Sequence, residues 1–257
     1  MSTLTPTVAD RWITRWDRQQ EGYLPDREER FTTLIDALEA AGRPDPLVLD
    51  LGCGPGSLAA RLLDRLPDAT VVAVDTDPLL LTLGRSVHSG RANLRFVDAD
   101  LRVPGWTKAL GLDRPADAAV STTALHWITE DELTVTYGEL ATVLRPGALF
   151  LNGDNFGVED RAPGLSKLDR AIQLREKARR FGDTPPEDWG DWWDAAAVDP
   201  DLGPLKTARD DSAAAHHGSE SHLLSTHVRV LNEAGFGEVG TVWQRGDSRV
   251  LAALLSE

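Results

Sequence analysis

Val48-Leu49-Asp50-Leu51-Gly52-Cys53-Gly54-Pro55-Gly56 decides the reading of this chain. The apolar run before the glycines, broken only by Asp50, has the character of a short strand buried on both faces. Glycine lacks a Cβ, so the backbone can turn through positive φ and come close to a ligand. Ser57 to Leu66 follows with helical spacing of its apolar residues. Strand, glycine turn and helix in that order form the layout of a nucleotide-type cofactor site at the mouth of a parallel α/β sheet.

Outward from that stretch the alternation continues. Strand signals fall at Leu47–Leu51, Thr70–Asp75, Leu94–Val97, Ala116–Ser121 and Ala148–Leu151, and helical signals at Ser57–Leu66, Pro78–Val87 and Asp131–Leu144. Such alternation predicts a parallel sheet with right-handed crossovers and helices on both faces. Arg145-Pro146-Gly147 reads as a helix stop before the fifth strand. Residues 46–154 are therefore the expected cofactor-binding core. Residues 1–45 read as a helical cap, with Phe31, Leu34, Ile35 and Leu38 on one stripe and Gly42 and Pro44 ending it. Residues 155–217 break the rhythm and are expected to form an inserted, substrate-facing lid. They hold one helix, Ser166 to Phe181, whose Leu165, Leu168, Ile172 and Leu174 are its expected buried part, then an irregular Pro-, Asp- and Trp-rich segment. Residues 218–257 resume with a helix over Ser221–Ala234 and a hairpin signal, Glu238–Gln244 and Arg249–Leu254 about the turn Arg245-Gly246-Asp247-Ser248.

Composition narrows the function. At 257 residues the chain can bury a full core. Its net charge of -14 makes nucleic acid an unfavourable partner and a small molecule the better one. No apolar run is long enough to span a membrane, and Met1 to Asp10 lacks the basic-then-apolar pattern of a secretory signal, so a cytoplasmic protein is expected. The single cysteine, Cys53, excludes an internal disulfide and a multi-thiolate zinc site. His216 and His217, with His222 beyond, point to opposite sides of an extended chain and match no ligand spacing, so no metal is expected.

Asp50, Asp75 and Asp100 fall at or just past the ends of the first three strands, at one edge of a parallel sheet. An acid after the second strand can accept both hydroxyls of a ribose, and one after the third can accept from an adenine amino group. Read singly, Asp75 and Asp100 serve equally well as helix N-caps, although Asp77 before Pro78 is the better cap. The glycine pattern is Gly-x-Gly-x-Gly, not the Gly-x-Gly-x-x-Gly of a dinucleotide site. Asp50 would repel a pyrophosphate and suit an ammonium, which leaves an NAD-dependent oxidoreductase as a remote alternative.

The ordered set resembles the class I S-adenosylmethionine-dependent methyltransferases. It comprises Asp50 to Gly56, Asp75 in Ala73-Val74-Asp75-Thr76-Asp77, Asp100, Val143-Leu144-Arg145-Pro146-Gly147 and the terminal hairpin. Ser121-Thr122-Thr123-Ala124-Leu125-His126-Trp127-Ile128 is similar to the post-strand segment of the subgroup that includes trans-aconitate methyltransferases. The resemblance implies a Rossmann-like, seven-stranded, mostly parallel sheet with an antiparallel terminal hairpin. It implies S-adenosylmethionine as cofactor and S-adenosylhomocysteine as product. Gly52, Cys53, Gly54 and Gly56 would line the methionine portion, with Asp50 orienting the loop or the amino group. Asp75 and Thr76 would serve the ribose, Asp100 and Leu101 the adenine, and Ser121 and Thr122 would lie near the sulfonium.

Methyl transfer to a small molecule is the expected activity, by direct displacement at the sulfonium methyl. O-methylation of a hydroxyl or carboxylate comes first and N-methylation next. The same fold also serves cyclases and scaffolds that bind the cofactor without transfer, and the motif does not separate these. His126 is the candidate base, needed only if the nucleophile arrives protonated. Trp16, Tyr23, Trp127, Asp154, Asn155, Trp192 and Trp193 are the candidate substrate-pocket residues. The acidic, tryptophan-bearing stretch Asp183–Asp201 suits a cationic ligand, while Lys167, Arg170, Arg175, Lys177, Arg179 and Arg180 suit an anionic one, so substrate charge stays open. The oligomeric state is not legible.

Overall fold

The structure, a computed structural model, describes residues 4–157, 163–211 and 222–257. Seven strands form one sheet, β1 (Leu47–Leu51), β2 (Thr70–Asp75), β3 (Leu94–Asp98), β4 (Ala116–Thr122), β5 (Leu144–Asn155), β6 (Phe236–Arg245) and β7 (Ser248–Leu255). Their order is β3-β2-β1-β4-β5-β7-β6. The first five are parallel, and β7 runs antiparallel to both β5 and β6. The order reverses between β1 and β4, so the crevice beyond their carboxyl ends is the natural ligand position of such a sheet.

All of β1 is buried because helices cover both faces. Leu47, Leu49 and Leu51 point to one side, toward α5 (Glu130–Val143) and α9 (Leu224–Glu233). Val48 points to the other, toward α2 (Arg27–Ala40), α3 (Ser57–Arg65) and α4 (Pro78–Val87). A separate apolar cluster forms the cap. It joins Trp12 of α1 (Pro6–Tyr23), Leu79, Leu80 and Leu83 of α4, and Trp192, Trp193 and Ala196 of α7 (Trp189–Val198), with α8 (Gly203–Asp210) alongside. Among the described residues no helix is long and apolar enough to cross a membrane.

Two expectations for the lid are corrected. The segment after residue 183, read as irregular, contains α7 and α8. Asp188 caps α7 by accepting from the Asp191 N–H at 2.8 Å, and Trp192, Trp193 and Ala196 supply its buried side. The apolar stripe of α6 (Pro163–Phe181) is not buried: Leu165, Leu168, Ile172 and Leu174 are 51–62% exposed. That helix turns polar residues inward instead. Gln173 donates to Asp247, Glu176 pairs with Arg245, and Arg180 donates to the Pro25 carbonyl. The helix α5 does stop before Arg145-Pro146-Gly147, but the fifth strand already begins at Leu144 rather than Ala148, with a register shift opposite Ala116–Ala118.

Arg30, fully buried, fastens the cap to the sheet edge. Its Nη1 donates to the Gly153 carbonyl at 3.1 Å, and Nη2 donates to Asn155 Oδ1 at 2.7 Å and Ser248 Oγ at 2.5 Å. Ser248 in turn donates to Asp26 Oδ2. Gly153 is needed there, since a Cβ at that position would meet Arg30 Cδ at 2.7 Å. Arg30→Ala removes the cation that Asp26, Asp154 and Asp247 all face. It is expected to cost about 3–5 kcal/mol in urea unfolding, and a loss under ~1 kcal/mol would show that the network adds little.

Candidate active site

The glycine loop sits on three left-handed residues, Gly52 (φ +69°), Gly54 (φ +55°) and Gly56 (φ +87°). Their surroundings differ. A Cβ on Gly52 would collide with Ala124, and one on Gly56 would meet the Phe96 ring at 2.8 Å. A Cβ on Gly54 would meet nothing nearer than Leu80 and Trp16, at 3.9 and 4.0 Å. Gly54 is thus the glycine whose bare backbone opens onto free space. That space is a cavity of about 670 Å³ beyond the carboxyl ends of β1, β2 and β4, within the size range of small-molecule sites.

Asp75, half-buried at the end of β2, binds the loop to its own turn. Oδ2 accepts from the Gly54 N–H at 2.7 Å, and Oδ1 accepts from Thr76 and Asp77 at 2.8 and 2.9 Å. Burial and the Asp77 charge push its carboxyl up to about 6 against those bonds. Asp77 caps α4 through the Leu79 and Leu80 N–H groups, and its other oxygen takes the Arg209 Nε–H at 2.5 Å. Arg209 lies 4.0 Å over the Trp193 ring, so one ion pair locks α8 to the strand-end acids. Asp100 receives Arg102 bidentately, at 2.8 and 2.7 Å.

Behind the loop, Asp50 is 1% exposed and its Oδ2 has no hydrogen-bond partner. Burial first, then the Asp75 charge, pushes it up to about 7. Two carboxylates raised in this way are relieved by a nearby cation.

On the opposite wall His126 Nδ1 lies 2.9 and 3.0 Å from the two oxygens of Asp154. Burial lowers the imidazole pKa, yet the Asp154 charge and hydrogen bond outweigh it and hold His126 above its ordinary value. Asp154 is held below the usual carboxylate range, because His126 and Arg30 overcome its burial. The bond to Asp154 commits Nδ1 as donor and makes Nε2 the basic nitrogen. His227, in contrast, is buried beside Tyr137 and pushed down to about 4, a neutral core residue. Thr123, at φ +50°, is the one non-glycine residue in the left-handed region among those described and lines the same wall. A β-branched residue held there stores strain of the kind found at functional sites.

Of the residues singled out from the sequence, Gly52, Cys53, Gly54, Asp75, Thr76, Asp100, Leu101, Thr122, His126, Asp154 and Asn155 line the cavity, as do Trp16, Tyr23, Trp127 and Trp193. Four do not. Asp50 lies behind the loop; Gly56 faces Phe96; Ser121 is buried and donates to the Leu51 carbonyl; Trp192 is fully buried, edge-on to Trp12, Trp16 and Trp193. His216 and His217 lie outside the described residues, and His222 Nε2 bonds the Ile128 carbonyl at 2.6 Å. Three of the acids of 183–201 serve the fold: Asp188 and Asp199 accept from backbone N–H groups, and Glu187 pairs with Arg15. Arg27, Phe31, Arg102, Arg209 and Asp247 line the cavity without having been singled out as site residues. No spacing rule picks them, because they arrive from separate parts of the chain, Arg27 and Phe31 from α2, Arg209 from α8, and Arg102 and Asp247 from turns.

The sheet is mostly parallel with a reversed last hairpin, and its glycine loop is held by a strand-end acid. Comparison with known proteins makes the class specific. Residues 48–147 match the family model described as a methyltransferase domain. The chain is 32% identical to a trans-aconitate 2-methyltransferase of Streptomyces coelicolor over 126 residues, which is 48% of this chain and 39% of that one. It is 33% identical over 124 residues to a tRNA (guanine-N(7)-)-methyltransferase of Chloroflexus aggregans, 48% of this chain and 50% of that one. It thus spans half or less of these relatives. In fold it is similar to magnesium protoporphyrin IX methyltransferase (ChlM) of Synechocystis, solved with bound SAH, with a TM-score of 0.55, 17% identity, and coverage of 96% of this chain and 93% of that one. Residues 48–147 thus match a methyltransferase domain, and the chain as a whole is similar in fold to a solved methyltransferase.

The site geometry sets a direct test of the imidazole. By proton NMR His126 is expected to titrate above the ordinary imidazole value, and Asp154→Asn is expected to bring it below that value, since burial and Arg30 both oppose its charge once the carboxylate is gone. An unmoved titration would separate the two residues.

Proposed function

We propose that this chain is an S-adenosylmethionine-dependent methyltransferase that methylates an oxygen of a small molecule. The observation that carries this reading is the Gly54 opening: bare backbone, tied to Asp75, facing a cavity whose opposite wall holds the His126–Asp154 pair. The residues fit the cofactor. The loop admits a close ligand, Asp50 and Asp75 favour a cation nearby, and Asp75 and Asp100 offer carboxylates for ribose hydroxyls and an adenine edge.

When bound, S-adenosylmethionine supplies an electrophilic methyl on a sulfonium, and S-adenosylhomocysteine is the product. Trp16, Trp127, Trp189 and Trp193 wall the cavity and exclude water from the acceptor side. His126 accepts the proton of an acceptor hydroxyl at Nε2, and Asp154 holds the ring and stabilises the imidazolium. A second reading, transfer to a carboxylate oxygen, is favoured by the relative named for trans-aconitate and needs no base. The net charge of -14 argues against a nucleic-acid acceptor like that named for the tRNA relative.

The test is transfer of labelled methyl from S-adenosylmethionine to trans-aconitate and to a panel of small phenols and aliphatic alcohols. Label in a product supports the reading, and tight cofactor binding with no transfer to any acceptor, the behaviour of a cyclase or scaffold, overturns it. With a hydroxyl acceptor the neutral imidazole is the active form, so kcat rises with pH through the raised His126 pKa. His126→Asn removes that limb and lowers kcat by roughly 10²-fold or more. An unchanged profile excludes His126 as base. Asp75→Ala is expected to weaken S-adenosylhomocysteine binding at least ~10-fold by calorimetry, as a lost charge-assisted hydrogen bond would.

A further inference from the structure

The cavity wall carries two indoles set nearly parallel. Trp127 ends the short 3-10 turn Leu125–Trp127, directly after His126, and Trp189 opens α7 in the cap. Both line the cavity and both are half-buried. Their ring centroids lie 6.4 Å apart with 29° between the planes. The tryptophans packed inside the cap are arranged otherwise. Trp12, Trp16, Trp192 and Trp193 meet edge-on, at 76–84°, as rings do when they fill a core against one another. The two cavity rings are also held from behind. The Trp189 N–H donates to Tyr23 Oη at 2.9 Å, and its ring rests edge-on against Trp193, which Arg209 covers at 4.0 Å. The Trp127 ring lies 4.9 Å from the His126 imidazole. Rings fixed in this way lose little freedom when a ligand arrives.

The spacing selects what lies between them. Carbon atoms in contact stand about 3.5 Å apart, so a flat ring held between two others needs roughly 7 Å, close to the Trp127–Trp189 separation. A saturated ring of the same size is puckered and thicker, and touches a flat face only through its axial hydrogens. Indole faces also attract cations, but three of the cavity's carboxylates already answer cations. Asp154 answers His126 and Arg30, Asp100 answers Arg102, and Asp77 answers Arg209. That leaves an ammonium little to pair with on the His126 side. A neutral hydroxyl suits the place better, since a ring held on Trp127 presents its substituent to the imidazole beside it.

We propose that Trp127 and Trp189 form the acceptor slot of the cavity, and that it takes a flat aromatic alcohol of the phenol or naphthol class, its ring between the two indoles and its hydroxyl toward His126. This rests on the methyltransferase reading and names the class of acceptor. The other source of a flat ring is the adenine of the cofactor, and the arms of the test tell the two apart.

The test is calorimetric and independent of turnover. Wild type, Trp189→Leu, Trp189→Phe and Trp127→Leu are titrated with S-adenosylhomocysteine, and the resulting complexes with 2-naphthol and with its saturated counterpart, decahydro-2-naphthol. Wild type is expected to prefer 2-naphthol by roughly 5–50-fold, as two ring contacts would give, although the saturated alcohol is the more apolar. Each leucine variant cuts that preference to about 3-fold or less, and Trp189→Phe, which keeps a flat face, retains most of it. Because the preference is a ratio within one variant, it survives partial destabilisation. Equal binding of the two alcohols by the wild-type complex, binding of neither, or a preference that either leucine variant keeps in full overturns the slot and leaves the methyltransferase reading standing. Weaker S-adenosylhomocysteine binding in the leucine variants, with the naphthol preference kept, assigns the slot to the adenine and overturns the acceptor assignment. If wild type binds no S-adenosylhomocysteine, it is the methyltransferase reading that fails, and the acceptor assignment falls with it.

Discussion

The bond from the Gly54 amide to the Asp75 carboxylate holds the site together. It joins the turn after β1 to the turn after β2, and the same carboxylate closes its own turn through Thr76 and Asp77. With the loop pinned, Gly54 faces the cavity and Gly56 packs against Phe96, so one glycine opens onto free space and another serves the packing. The arrangement costs free energy, because burial and Asp77 disfavour the Asp75 charge and the backbone donors offset only part of that. The site is thus built with a stored preference for positive charge.

From that pinned loop the architecture spreads in two directions. Asp77 hands the connection on to Arg209, whose guanidinium lies on Trp193, and so the α7–α8 part of the cap is tied to the strand ends by charge and ring contact together. On the other side Arg30 ties α2 to the ends of β5 and β7 and lends its charge to Asp154, which in turn orients His126. Two buried arginines therefore place the two walls of the cavity. Neither touches the cavity's chemistry directly in the way His126 does.

The core was legible in the sequence because its signals are local. An apolar run ending in Gly-x-Gly-x-Gly fixes a strand and a turn without reference to anything distant, and β1, β2 and α4 have the bounds their patterns predict. The cap was less legible for a physical reason. In α6 the apolar stripe suggests a buried face, yet Gln173 and Glu176 find polar partners on the hairpin turn and turn that face outward. In the stretch after residue 183 the abundance of Asp and Pro hid two helices, the first of which is capped by one of those aspartates, Asp188. His126 and Asp154 were each visible as candidates, but their pairing is a contact between β5 and the turn after β4 that no spacing encodes. Arg27 was hidden altogether, since in sequence it is one charge among many in a helix start, and only its burial marks it.

The inward polar face of α6 has a consequence for how the molecule responds to its medium. Burial of oil-like surface holds the sheet and its covering helices, and that attraction is indifferent to dissolved ions or strengthened by some of them. The helix α6 is attached through Glu176 to Arg245, Arg180 to Glu21 and Gln173 to Asp247, the last a residue of the cavity wall. Mobile ions screen charge pairs of this exposed kind over a few ångströms to about ten. Ionic strength therefore acts on the attachment of α6 and leaves the core beneath it alone, so the brine around the protein becomes a dial on how firmly that helix is held.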